Sequence, residues 1–413
     1  MHILFLTDNF PPEGNAPATR TYEHAREWIK LGHAVTVITC APNFPEGKVF
    51  EGYRNNWYQR EVMDGIDVVR VKTYITANEG FAKRILDYIS FGVMGGIAGL
   101  FQQRPDVIVS TSPQFFCACG AWVLAVMRCT PWVFELRDIW PASITAVGAM
   151  KKSALINLLE KLELFLYRRA DRIVSVTNSF KTELIERGIN GDKIDVVLNG
   201  VDLSAYAPVS AKDQALAADY NLHGKFVIGY LGTHGLAQAL DKVLESAALL
   251  QHNDDIRFLF AGGGAERAML ETMALERNLS NVVMMPRQPK AMMPAVWSLC
   301  DISLISLRDT PLFTKVIPSK IFESMGMGLP IVISCPAGEA TGIIQSTGSG
   351  VVVPPENSAT LAAGILELYD NREHLGNLAQ ASAGAAKTYD RAQQARLMLA
   401  SLASAAARRG TPA

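Results

Sequence analysis

The sequence predicts an α/β protein built from two Rossmann-like domains. Short runs rich in Val and Ile alternate with helical stretches along the chain, the pattern of parallel strands buried on both faces. Glycine-rich turns follow several of these runs and lead into helices. With 413 residues the chain is long enough for two domains, each with its own core.

Composition narrows the function. A hydrophobic content of 49% with 19% charged residues describes a soluble globular protein, and a net charge of −1 gives no electrostatic case for binding nucleic acid. Cys40, Cys117, Cys119, Cys129, Cys300 and Cys335 are scattered, mostly in apolar runs and without zinc-type pairing. They are expected to be buried free thiols in a reducing cytosol, and no metal site is expected. Met1 to Leu6 lacks a basic leader and reads as a strand, so no signal peptide is expected. Ile85–Phe101 contains Asp87 and four glycines, and Phe115–Met127 is too short to span a bilayer, so neither reads as a transmembrane helix.

In chain order, His2–Thr7 reads as a strand, Thr19–Leu31 as an amphipathic helix closed by Gly32, and Ala34–Thr39 as the next strand. The loop from Asp8 to Ala18 is long for a strand-to-helix connection. Its small residues and Gly14 suit close approach of a phosphate, with an ordinary surface loop as the alternative. No G-x-G-x-x-G follows the strand, which argues against a dinucleotide site. Asn43–Trp57 is an irregular aromatic excursion, and Val62-Met63 with Ile66–Val71 flank a hairpin-like Asp64-Gly65 turn. Ala82–Phe101 reads as a helix with one strongly apolar side. A core helix is one reading; a patch touching anionic lipid through Lys83, Arg84 and Arg104 is the other.

Asp106–Ser110 and Trp132–Leu136 read as further buried strands flanking a helix over Phe115–Met127. The second strand ends in Arg137-Asp138-Ile139-Trp140-Pro141, a charged pair where open α/β sheets place chemistry; a structural pair capping a helix after Pro141 is the alternative. Lys151–Arg169 reads as a long helix with a basic solvated face. Asp171–Val176, Ser179–Arg187 and Ile194–Leu198 read as strand, helix and strand. The polar, Ala-rich run after Asp202 sets the expected boundary between a first domain, 1–202, and a second, 203–385, with a final segment 386–413.

The second half repeats the theme without repeating the sequence. Phe226–Leu231 leads into Gly232-Thr233-His234-Gly235 and a helix from about Gln238, and Ile256–Ala261 leads into Gly262-Gly263-Gly264 and a helix over Glu266–Arg277. Both glycine turns suit phosphate approach, although steric need alone accounts for such turns. Val282–Met285 leads into Pro286-Arg287-Gln288, where the Arg287 guanidinium could stack on a pyrimidine, with an ordinary surface arginine as the alternative. Ile302–Leu307 and Gly350–Val353 complete the strands, Ser358–Tyr369 reads as a helix, and Tyr389–Ala406 as the final one.

The chain is organised around Pro311–Ser334. Pro318 suits a first helical turn, and Ile321, Phe322 and Met325 fall at core-facing spacing. Gly326 and Gly328 end the helix, and Ile331-Val332-Ile333 reads as a strand. Glu323 stands out, with Lys320 one turn upstream. The pair is either an i, i+3 ion pair on a solvated face or a site where Lys320 holds phosphate and Glu323 accepts ribose hydroxyls.

Pro318-Ser319-Lys320, Glu323 and the Gly-x-Gly-x-Pro ending resemble the donor-site signature of retaining glycosyltransferases of family four. The resemblance spans nearly the whole chain. It implies the GT-B fold, with two Rossmann-like domains facing across a cleft and a C-terminal helix crossing back to the first. It also implies a glutamate at Glu323 that binds ribose, a glycine at Gly14 that faces the donor phosphates, and a pyrimidine-stacking role for Arg287. The family's first glutamate, eight positions before Glu323, is here Lys315, which leaves open how the donor sugar is held. Where the family grips the diphosphate with Arg and Lys, this chain has Thr233 and His234 beside Gly235, so the charge falls to Lys320 or Lys315, with Gly263 on the second turn. At the reacting sugar the family's His-Asp-like pair is Arg137-Asp138.

These motifs are similar to those of bacterial O-antigen and capsule enzymes, and most resemble transferases of N-acetylated deoxyaminosugars such as N-acetylfucosamine. The resemblance implies a UDP-sugar donor as co-substrate, no cofactor and no metal. It further implies a sugar acceptor on undecaprenyl diphosphate, reached from the cytoplasm with peripheral contact at the inner face of the plasma membrane. A UDP-sugar 2-epimerase and a catalytically silent nucleotide-sugar-binding scaffold are the alternatives.

Overall fold

The computed structural model describes residues 1–44, 46–76, 81–112, 114–139 and 154–408. It divides into two compact units, Met1–Leu198 with Arg391–Ala413, and Asn199–Asp390. Trp140, Pro141, the helix expected after Pro141, Lys151, Lys152 and the tail beyond Arg408 lie outside the described residues.

The first unit begins β1 (His2–Leu6), α1 (Ala16–Lys30), β2 (Ala34–Cys40), β3 (Tyr58–Met63) and β4 (Ile66–Val71). It continues α2 (Phe81–Leu100), β5 (Val107–Thr111), α3 (Phe115–Arg128), β6 (Trp132–Leu136), α4 (Ala154–Arg169), β7 (Arg172–Ser175), α5 (Asn178–Glu186) and β8 (Ile194–Val196). The strands form one eight-stranded sheet in the order β3-β4-β2-β1-β5-β6-β7-β8. Only β3 runs antiparallel to its neighbour, closing the hairpin through Asp64 and Gly65, both at positive φ. Successive residues of β1 pack into different cores: Leu4 and Leu6 join α2 and α3, while Ile3 and Phe5 join α1. Burial on both faces is why these strands read as unbroken apolar runs. Asn15 caps α1 by accepting from the Ala18 amide at 2.9 Å, so this helix starts earlier than its apolar spacing suggests.

The second unit holds α6 (Gln214–Asp219), β9 (Phe226–Thr233), α7 (Leu240–Leu249), β10 (Ile256–Gly263), α8 (Arg267–Glu276), β11 (Val282–Met285) and α9 (Met293–Ser298). Then follow β12 (Ile302–Ser306), α10 (Lys320–Gly326), β13 (Ile331–Ser334), α11 (Glu339–Thr347), β14 (Gly350–Val353), α12 (Ser358–Asp370) and α13 (Arg372–Ala386). Its sheet is parallel throughout, in the order β11-β10-β9-β12-β13-β14. The last helix, α14 (Arg391–Arg408), belongs to the first unit, where Ala395, Met398, Leu402 and Ala405 complete the α1-side core. The Trp28 indole, fully buried, donates to the Ala395 carbonyl at 2.8 Å and pins α14 to α1.

Four cysteines are buried as expected, but Cys119 is half-buried and Cys129 is exposed. Cys129 caps α3 in the left-handed region, at φ 48, where the chain turns away from the core.

Candidate functional site

In an open parallel sheet, ligands bind beyond the carboxyl ends of the strands where the strand order reverses. In the second unit that point lies between β9 and β12: from β9 the chain proceeds outward to β10 and β11, then returns to β12 on the other side. The β9–β12 ladder pairs only Ile302 with Ile228 and Ser303 with Gly229, whereas β9 stays paired with β10 through Gly232–Gly262 and Thr233–Gly263.

Three glycines shape this end. Gly232, Gly262 and Gly264 have φ of +147°, +149° and +153°, which side-chain-bearing residues rarely adopt. A Cβ on Gly262 would lie 1.8 Å from the Gly232 carbonyl oxygen, and one on Gly264 would lie 2.3 Å from that of His234. Gly263, the glycine singled out in the sequence, instead faces open space. Arg267 fastens the turn by donating to the Gly262 and Met285 carbonyls at 2.5 and 2.8 Å.

Against this turn stands α10. Ile321, Phe322 and Met325 are fully buried, as their spacing predicts, and Phe322 packs on Tyr389 with ring centroids 4.8 Å apart. The Ser324 hydroxyl bridges the Ser303 hydroxyl of β12 at 2.6 Å and the Lys320 carbonyl at 2.7 Å. Gly328, at φ +67°, takes the chain out of the helix.

The helix thereby fixes Lys320. Its residue surface is half-buried, but its ammonium sits 3.7 Å from the centroid of the Tyr230 ring and beside Gly232, where a Cβ would meet it at 3.0 Å. Burial pulls the ammonium down to about 7, against a smaller upward pull from the Glu323 carboxylate. A cation held over a ring, partly desolvated and close to neutral pH, is poised to gain from an arriving anion. Glu323, one turn on, is half-buried and accepts from the Trp297 indole of α9 at 3.3 Å. Trp297, Tyr230 and Ser303 were not singled out in the sequence. Trp297 alone carried a signal, as a large aromatic with a polar handle in a short apolar stretch.

The other residues of this unit separate into groups. His234 is fully buried between Tyr230 and Phe260, its ring centroids 6.0 and 6.3 Å away, and neither ring nitrogen has a hydrogen-bond partner. Burial, then Arg267 and Lys320, lower its imidazole to about 4, so it is neutral at pH 7. Its backbone is committed too: the amide donates to the Gly263 carbonyl at 2.9 Å and the carbonyl accepts from the Glu266 amide at 3.0 Å. Thr233 beside it is exposed, and Gly235 opens the turn that precedes α7. Arg287 is exposed in the segment after β11. Lys315 follows a tight helical turn, Pro311–Thr314, that is held close to Gly338, where a Cβ would come 2.0 Å from the Thr314 carbonyl oxygen.

In the first unit the order reverses between β1 and β5. Gly14 lies in the loop after β1 with open space where a Cβ would stand. The adjacent Glu13 is buried and accepts from the Asn43 and Phe44 amides at 2.7 and 2.9 Å, which folds the loop over the end of β2. Arg137 and Asp138 follow β6, and their amides both donate to the Ser112 hydroxyl after β5, at 2.8 and 3.1 Å. Below them Arg20 and Glu135, each 1% exposed, form a buried ion pair at 3.1 Å. Burial lowers the Arg137 guanidinium, Glu135 partly opposes this, and Arg391 adds to it. Among the described residues no group of three or more His, Cys, Asp or Glu side chains could hold a metal ion, and no helix is long and apolar enough to cross a membrane.

Two family models match: Glycosyltransferase Family 4 over residues 17–205 and Glycosyl transferases group 1 over residues 213–384. WcaI of Escherichia coli K12, assigned as a glycosyl transferase of colanic acid biosynthesis, is 29% identical over 376 residues, covering 88% of this chain and 91% of its own. The GDP-mannose-dependent α-mannosyltransferase of Mycolicibacterium smegmatis is 24% identical over 92% of both chains. Among solved structures, Anabaena HepE in complex with UDP-glucose superposes with a TM-score of 0.72 at 17% identity, covering 98% of this chain and all of its own. Sucrose-phosphate synthase from Thermosynechococcus elongatus gives 0.78 at 14%, covering 96% and 97%. The chain is a glycosyltransferase of the GT-B fold, its first unit belonging to Glycosyltransferase Family 4 and its second to the group 1 glycosyl transferases.

Proposed function

We propose that this glycosyltransferase moves a sugar, with retention of configuration, from a UDP-sugar to a lipid-linked glycan in the building of a bacterial surface polysaccharide. The observation that carries the donor half is the Lys320 ammonium seated against Gly232 at the reversal point of the second sheet, with Glu323 one turn away. Lys320 and exposed backbone of the two glycine turns hold the diphosphate, and Glu323 accepts from the ribose hydroxyls. Arg287 stacks on the base, while Lys315 stands near the sugar. Asp138 and Arg137 act at the reacting sugar, and Gly14 admits the donor phosphates. The colanic acid assignment of WcaI supports a polysaccharide product, and an N-acetylated deoxyaminosugar such as N-acetylfucosamine is the donor sugar inferred from the motifs. The GDP-mannose-dependent relative makes guanine the competing base.

The departing diphosphate carries more charge in the transition state than in the bound donor, and fixed protein donors can stabilise it there. Transfer from a UDP-sugar to a lipid-linked acceptor is therefore expected to persist in excess EDTA. Loss of activity on chelation with rescue by magnesium would overturn the metal-free mechanism. In a panel of UDP-sugars with that acceptor, transfer of one sugar supports the assignment. Conversion of a UDP-sugar without acceptor would point to an epimerase, and UDP binding without turnover to a silent scaffold.

UDP affinity is also expected to depend on pH. The Lys320 ammonium titrates at about 7 in the free protein, and a bound diphosphate raises that value. Above pH 7 binding then takes up a proton, and Kd rises by up to about tenfold per pH unit until the raised value is passed. Calorimetry in two buffers of different ionisation enthalpy reads the proton directly. A pH-independent Kd between pH 6 and 9, roughly the span that linkage covers here, would remove Lys320 from the anion site.

A further inference from the structure

Two helices of the first unit pack backbone to backbone. A Cβ on Gly92 of α2 would lie 2.2 Å from the Phe116 carbonyl oxygen, and one on Gly120 of α3 would lie 2.1 Å from that of Gly92. With the backbones in contact, the larger side chains are displaced to the flanks, where they wall an apolar groove of about 330 Å³. Val93, Ile97, Val123 and Met127 line it and are themselves 46–62% exposed, and Phe101, just past the end of α2, is 80% exposed. So much contiguous apolar surface is unusual on a protein that faces only water.

Charge says what covers it. Lys83 and Arg84 stand exposed at the start of α2, and Arg104 stands exposed beyond its other end. There Arg128 of α3 also donates to the Leu100 and Gln102 carbonyls, both at 2.8 Å. Asp87 is the one acidic residue in α2 and α3; burial raises its carboxyl, Arg84 partly opposes this, and Glu13 adds to it. Alongside α2, the Tyr74 amide donates to the Ser90 hydroxyl at 2.8 Å. Two residues before it, Lys72 sits 4.6 Å from the ring centroid of Trp57, which is 69% exposed. An apolar groove between basic ends, with Tyr74 alongside α2, matches the layered chemistry of an anionic bilayer surface: hydrocarbon, then interface, then charged headgroups.

We propose that the α2–α3 face is a membrane-docking surface whose groove takes acyl chains of an anionic bilayer while Lys83, Arg84, Arg104 and Arg128 meet the headgroups. This rests on the membrane side of the function proposed above and is independent of the donor. The full chain is spun down with vesicles of phosphatidylcholine alone or of phosphatidylcholine with phosphatidylglycerol, and UDP binding is measured on the same samples. Wild type is expected to pellet with the anionic vesicles and to be released by salt. Val93→Glu and Phe101→Glu should each weaken vesicle binding by roughly tenfold or more, with UDP affinity unchanged. Phe101 is exposed enough that its substitution leaves the fold intact. Failure of wild type to pellet, or equal pelleting by both variants, would overturn the proposal. So would a wild-type dimer in lipid-free buffer that Val93→Glu makes monomeric, because the face would then be an interface between copies. Vesicle binding lost with UDP binding kept separates failure here from failure of the donor assignment.

Discussion

Lys320→Ala is expected to lower kcat by about 10²-fold, the scale seen when one charge-stabilising donor is removed from a transition state. KM should move much less, because the leaving diphosphate carries more negative charge in the transition state than in the bound donor. Three features single out this lysine. Its ammonium is fixed over Tyr230 and beside Gly232, its helix is tied to β12 through Ser324 and Ser303, and the neighbouring His234 is neutral and buried. Within that turn Thr233, His234 and Gly235 bring no charged side chain, and the Arg267 and Arg308 guanidiniums beside it donate to the Gly262 and Leu236 carbonyls. Lys320→Met preserves the aliphatic stem over the ring without the charge, so it should lose as much kcat as the alanine while keeping the melting temperature. A stability loss with kcat unchanged would make Lys320 a packing residue. Lys315→Ala should instead change the preference between two UDP-sugars, and an exchange of these two effects would reverse the assignments.

Glu323→Gln is expected to weaken UDP binding by roughly 1–3 kcal/mol, the range for a lost charged hydrogen bond. The substitution is nearly isosteric, and a glutamine oxygen can still accept from the Trp297 indole, so the helix should stay in place. It also tests the coupling to Lys320. The Glu323 carboxylate raises the Lys320 value, so its removal lowers that value further below about 7. The decline of UDP affinity with rising pH should therefore begin at lower pH in the variant than in wild type. Equal affinities and superimposed pH profiles would return the pair to an ordinary helical ion pair.

Most of the fold was legible in the sequence because its strands are buried on both faces. Runs such as Val107–Thr111, Trp132–Leu136 and Ile302–Ser306 announce themselves without any periodicity to interpret. The helices α6, α9, α11 and α13 were not anticipated. The first two are six residues long, α9 with Pro294 in its opening turn, and the other two carry glycines that blur an apolar face. The strand order is set by packing rather than by local pattern. The reversal points, and the contact of Ser112 with Arg137, were therefore not legible, although the resemblance already implied Lys320 at the diphosphate beside the β9 turn. Within the site, the sequence showed which residues could carry charge but not their setting. His234 looked available and is sealed between two aromatic rings, while Gly232, Gly262 and Gly264 have the special backbone that Gly263 lacks. Trp297 reaches Glu323 from a helix 26 positions away in sequence, a pairing no local motif records.

The most direct test of the central claim is a calorimetric titration of the full-length protein with UDP and, separately, with GDP. A nucleoside diphosphate held by Lys320 and Glu323 with Arg287 on a pyrimidine predicts that UDP binds more tightly than GDP, and that Lys320→Ala and Glu323→Gln each weaken UDP. Binding of GDP in preference to UDP, or UDP binding that neither substitution disturbs, would contradict it.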